Sequence, residues 1–123
     1  MVTIKGSLPT GGSIFSINFF SGSNFGSDII FHMTNRYSKN QIAFNTKNSD
    51  ENWLNEEVYN ETDAFVAGKR FTVHIALRKD QFIITVNGNH IANFKVRKSN
   101  SYIKYHYIDG DVNISSVEFE SLT

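Results

Sequence analysis

Apolar and polar residues alternate along most of this chain with a period of two. "SIFSINFF" places Phe15, Ile17 and Phe19 on one face, and "FTVHIAL" does the same with Phe71, Val73, Ile75 and Leu77. That is the pattern of strands with one buried side. "FIITVNGNHIANF" holds two apolar runs around Asn87-Gly88, a pair suited to a type I′ hairpin because both central residues need positive φ. "YIKYHYIDGDVNISSVEF" reads as two further strands joined at Asp109-Gly110. No segment carries a helical period longer than about a turn, and "DENWLNEEVYNETDA" is the only ambiguous one. About ten short strands at roughly 8–12-residue spacing predict an all-β, two-sheet antiparallel sandwich. Residues 1–123 are expected to form it as one domain.

Composition narrows the partners. A chain of 123 residues with 40% apolar content and eleven phenylalanines can bury a core unaided. Twelve basic residues balance twelve acidic ones, which argues against nucleic acid or an anionic membrane. The cluster "KVRKSNSYIK" is too small to change that balance. With no cysteine there is no disulfide, thiolate nucleophile or thiolate zinc site. His74, His90 and His106 show no metal spacing, so no metal or cofactor is expected. The start "MVTIKGS" has no apolar signal region, and no run is long enough to span a bilayer. The expected location is cytoplasmic, and secretion without a signal peptide would leave no trace here.

Candidate chemistry begins at "FHMTNRY". Alternation turns Phe31 and Met33 to one side and His32, Thr34 and Arg36 to the other. The next strand, "QIAFNTK", turns Ile42 and Phe44 inward and Asn45 outward. "NWLNEEVY" follows, with the single tryptophan, Trp53, three residues before Glu56. If the three segments are neighbours, His32, Thr34, Arg36, Asn45 and Glu56 form a carpet of donors and acceptors with an indole at its edge. Sugar hydroxyls donate and accept at once, and a guanidinium can bridge two vicinal oxygens. The C–H face of galactose is apolar and fits flat on tryptophan. Glu56 can also hold Arg36 through a charge-assisted pair.

Read in order, "HMTNR", "AFNTK" and "WLNEEV" resemble the carbohydrate signature of the galectins, H-x-N-x-R, V-x-N and W-G-x-E-x-R. "ITVNGNHIANFKVR" and "IDGDVNISSVEF" are similar to that family's later strands, so the resemblance covers nearly the whole chain. It implies a jelly-roll sandwich that binds β-galactosides, lactose-like disaccharides included, on its concave sheet without metal or catalysis. It implies that His32, Thr34 and Arg36 meet the axial O4 of galactose, that Asn45 and Glu56 meet O6, and that Trp53 stacks under the ring. It also implies galactose-containing glycoconjugates as partners, with a homodimer or a tandem domain supplying avidity. Two positions depart from the signature. Thr34 stands in place of asparagine, with one donor instead of two, and Val58 in place of the second arginine, which reaches the sugar next to galactose.

Two other classes compete. A glycosidase needs two carboxylates about 5–10 Å apart facing the cleft. Only Glu56 faces it, Glu57 being turned to the other side of the strand. Glu118 and Glu120 on the last strand read as a solvated face. A galectin-like domain with lost or altered sugar specificity, acting as a protein-interaction module, is the other alternative, and Thr34 and Val58 are its basis.

Overall fold

The computed structural model describes residues 1–22, 27–50, 52–60, 62–97 and 103–120. Ten strands run in chain order: β1 (Val2–Ser7), β2 (Phe15–Phe20), β3 (Ile29–Arg36), β4 (Gln41–Lys47), β5 (Glu57–Tyr59), β6 (Arg70–Arg78), β7 (Gln81–Val86), β8 (Asn89–Lys95), β9 (Tyr105–Gly110) and β10 (Asn113–Phe119). They form two five-stranded sheets, ordered β10-β1-β6-β7-β8 and β5-β4-β3-β2-β9. Every pairing is antiparallel. Among the described residues the only helical element is the 3-10 turn Tyr37–Lys39 between β3 and β4. The two-sheet sandwich is the architecture that the alternation predicts.

Phenylalanine fills the space between the sheets. Phe31 on β3 sits at the centre, with ring centroids 4.8 Å from Phe82, 5.1 Å from Phe19, 5.9 Å from Phe44 and 6.0 Å from Phe94. Phe82 and Phe94 belong to the opposite sheet, so one side chain joins both layers. Asn35 is also buried, and neither end of its amide has a hydrogen-bond partner among the described residues.

Backbone turns follow the chemistry of particular residues. Asn87 and Gly88 adopt φ of 51° and 83°, both positive as the hairpin between β7 and β8 requires. The Asn87 side chain also accepts a hydrogen bond from the Thr72 N–H at 2.8 Å, tying the turn to β6. Gly110 lies opposite Phe15 and has φ of 103°. A Cβ there would come within 2.7 Å of the Ile14 carbonyl and the Phe15 Cα. Asp109 and Gly110 thus belong to β9 and not to the joint, which is Asp111-Val112 and crosses between sheets: β9 pairs with β2, whereas β10 pairs with β1.

The ambiguous segment "DENWLNEEVYNETDA" contributes only the three-residue strand β5 and one isolated bridge, Lys47 to Trp53. Its Glu51 and Glu61, like residues 98–102 of the basic cluster, lie outside the described residues.

Candidate functional site

The sheet β5-β4-β3-β2-β9 turns one face to the core and the other to solvent, and its register fixes which residues share the outer face. Tyr107, Asn18, His32 and Asn45 form one row across β9, β2, β3 and β4. Asp109, Ser16, Thr34, Ala43 and Val58 form the next, across all five strands. A register shift between Ile29 and His32 gives β3 one extra residue relative to β4. This bulge lets both Ile30 and Phe31 be buried and sets His32 on the outer face.

His32 is held at both nitrogens. Asn18 donates through Nδ2 to the Tyr107 carbonyl at 3.2 Å and to Ser16 Oγ at 3.4 Å, so its Oδ1 is the acceptor toward His32 Nδ1. The ring proton therefore sits on Nδ1, and Nε2 is an acceptor, receiving the Thr34 hydroxyl at 2.6 Å. Burial pushes the imidazole down from 6.5 to about 4, overriding the carboxylates of Asp109 and Glu56; Arg36 and Lys47 lower it further. His32 is thus neutral at pH 7. Thr34 spends its one donor on His32, leaving its oxygen lone pairs as its offer to a ligand.

Arg36 and Glu56 face each other as two parallel contacts. Nη2 meets Oε2 at 3.0 Å and Nη1 meets Oε1 at 3.4 Å, and Nη1 also reaches Oε1 of Gln41, the cross-strand neighbour of Arg36. Both side chains are partly exposed, at 27% and 40%. Such a pair adds only about 0.2–1 kcal/mol to stability. Its structural effect is to fix the direction of the guanidinium.

Asn45 lies opposite His32 in register but is 93% shielded, with 7% exposure. Its Oδ1 accepts from the Thr46 N–H at 2.8 Å and from Arg97 at 3.1 Å, and its Nδ2 donates to the Leu54 carbonyl at 3.1 Å. One N–H remains for a ligand. Arg97, which also pairs with Glu57 at 2.9 Å, is the brace that fixes this amide. Trp53 is 44% exposed. Its ring lies 4.6 Å from His32 and has the Lys47 ammonium 5.4 Å from its centroid.

Beyond His32 the outer face continues over β2 and β9 as a cleft of about 300 Å³ lined by Ile14, Ser16, His32, Thr34, Asp109 and Gly110. Val58, by contrast, is exposed at the β5 edge opposite the small Ala43. The structure places two hydrogen-bonded pairs on this face, His32 with Thr34 and Arg36 with Glu56, with Trp53 against His32 and Asn45 opposite it in register. Sequence reading missed Asn18, Gln41, Arg97 and Asp109. Gln41 lies across the short β3–β4 connection from Arg36 and could have been placed by register; Asn18, Arg97 and Asp109 depend on long-range contacts. Among the described residues no group of three or more His, Asp or Glu is placed to hold a metal ion.

Comparison with known proteins gives the same picture. The family described as Galactoside-binding lectin matches residues 1–119. Galectin-3 of Cricetulus longicaudatus is 30% identical over 120 residues, covering 94% of this chain and 46% of that protein. Galectin-8 of Rattus norvegicus is 31% identical over 122 residues, covering 97% of this chain and 38% of that protein. The chain thus spans less than half the length of these relatives. Among solved structures, sheep galectin-11 in complex with glycerol superposes with a TM-score of 0.85 at 26% identity, over 95% of this chain and 86% of that one. A variant of human galectin-16 gives 0.84 at 28% identity, over 95% and 84%.

Proposed function

This chain belongs to the galectins, the galactoside-binding lectin family, and on that premise we propose that it holds β-galactoside glycans on its outer sheet face without catalysis. The supporting observation is the pairing of a fixed donor with fixed acceptors. Arg36, aligned by Glu56, lies on the same strand face as the Thr34 oxygen, whose own proton is directed to His32 Nε2 so that its lone pairs are left to accept. An axial hydroxyl between them can accept from the guanidinium and donate its own proton to an acceptor. The equatorial epimer would point its oxygen away from both. Asn45, with its one spare N–H, and Glu56 serve the neighbouring O6, and Trp53 receives the C–H face once Lys47 moves aside. A few charge-assisted bonds of roughly 1.5–3 kcal/mol each, offset by desolvation, give dissociation constants of about micromolar to millimolar. A homodimer or tandem domain would then supply avidity.

The test uses the single tryptophan: titrate lactose against Trp53 fluorescence with matched sucrose as control. A saturable change with lactose alone supports the reading. No change up to about 50 mM excludes useful millimolar affinity and favours the second reading, a galectin-like module with altered specificity that binds protein. Val58 in place of the second arginine and the committed Asn45 amide favour that second reading.

A further inference from the structure

Resting on the β-galactoside reading, we propose that Asp109 makes this site discriminate against galactose carrying an anionic substituent at O3 and select neutral, hydroxyl-rich extensions. The direction follows from the site. C4 of the ring has two neighbours, C3 and C5, and C5 carries C6. With O4 at His32 and Arg36, and O6 toward Asn45 and Glu56 on the β4 and β5 side, C3 points the opposite way, over β2 and β9. There lies the cleft lined by Ile14, Ser16, His32, Thr34, Asp109 and Gly110.

Among the described residues lining that cleft, the Asp109 carboxylate carries the only charge, since His32 is neutral at pH 7. Asp109 is exposed, and it forms no ion pair among the described residues. The Ser16 hydroxyl donates to its Oδ1, holding the carboxylate against the floor, and Oδ2 has no partner among the described residues. A sugar hydroxyl can donate to that free oxygen. A carboxylate or sulfate brought to the same place meets like charge in a concave, partly desolvated space. Arg36 and Lys39 line a neighbouring depression together with Ser13, Ile14 and Ser38. Ile14 stands between the two, and Arg36 is already engaged by Glu56.

The experiment compares the whole chain with its Asp109→Asn variant by calorimetry. The ligands are lactose, lactose sialylated at O3 of its galactose, and lactose carrying a neutral hexose at that oxygen. At low salt the wild type should bind the sialylated sugar about tenfold more weakly than the neutral one, and the gap should shrink toward about 0.5 M salt. Asp109→Asn should bring the ratio of the two extended sugars close to one, a ratio in which any change common to all three ligands cancels. A ratio unmoved by Asp109→Asn, with lactose still bound, overturns this inference and leaves the galactoside reading standing. A preference for the sialylated sugar that disappears with Lys39→Ala also overturns it, placing the extension in the neighbouring depression. Failure of the wild type to bind any of the three sugars overturns the galactoside reading itself, and this one with it.

Discussion

Asn18 determines which nitrogen of His32 faces the groove. Its Oδ1 takes the Nδ1 proton, because its Nδ2 is occupied by Tyr107 and Ser16. Removing Asn18 frees the ring to turn over or to exchange tautomers, so that a donor can stand where the site holds an acceptor. Asn18→Ala should therefore weaken lactose binding by about two- to tenfold, the scale of one net hydrogen bond. Nitrogen NMR of the imidazole should show a mixed tautomer. Unchanged affinity with an unchanged tautomer would remove Asn18 from the site.

The pH behaviour of His32 has a definite sign. Its folded pKa, about 4, lies below the ordinary 6.5 because burial outweighs Asp109 and Glu56, with Arg36 and Lys47 acting in the same direction as burial. Between those values the unfolded chain binds more protons. The group's contribution to stability is thus fully present above about pH 6.5 and is lost as pH falls toward about 4. Lactose affinity, which needs the neutral acceptor, should stay level down to about pH 5 and fall about tenfold per unit below about pH 4. Titrations from neutral to acid check both. A binding midpoint near 6.5 would contradict the burial of this ring.

Arg36→Ala should abolish sugar binding and change thermal stability by no more than about 1 kcal/mol, since the pair it breaks is part-exposed. Circular dichroism melts alongside lactose titration separate the two effects. Binding that survives would place the O4 contact elsewhere.

Val58 is exposed on the row that also carries Thr34 and Ala43, and the alanine leaves space beside it. Val58→Arg should strengthen lactose more than free galactose, because the added guanidinium reaches past the first ring. Equal gains for both sugars would show that this edge does not face the second ring.

Phe31 connects four phenylalanine neighbours across the two sheets. Phe31→Ala should cost about 3–5 kcal/mol in urea denaturation. A cost below about 1 kcal/mol would mean that the centre of the sandwich collapses readily around the gap.

The legible parts of this molecule are those carried by neighbouring residues. Alternation along 31–36 separates Phe31 and Met33 from His32, Thr34 and Arg36, and the structure keeps that division. Asn87-Gly88 announces its own turn because its φ requirement is local. The turn between β6 and β7 gives no such sign, since Lys79 takes positive φ there. Asn18 and Asp109 become part of the outer face only when β2 pairs with both β3 and β9, and that pairing is written in no short stretch. The same holds for Arg97, which follows the last strand of one sheet and braces Asn45 of the other. Asn35 is the converse case: a polar residue at an inward position of a readable strand, buried with no hydrogen-bond partner for its amide among the described residues.

The extra residue in β3 beside Phe31 has a consequence for how this protein can change. It is a phase shift: upstream of it one parity of the numbering faces the core, and downstream the other does. Point substitutions at His32, Thr34 or Arg36 leave that phase intact and can retune the groove one position at a time. Deleting Ile30 would remove the extra residue, leaving Phe31 opposite Thr46 with His32 still outward and Met33 still inward. Loss of a residue within 32–36 would instead reverse the facing of every residue after it, so this stretch tolerates a change of residue better than a change of length.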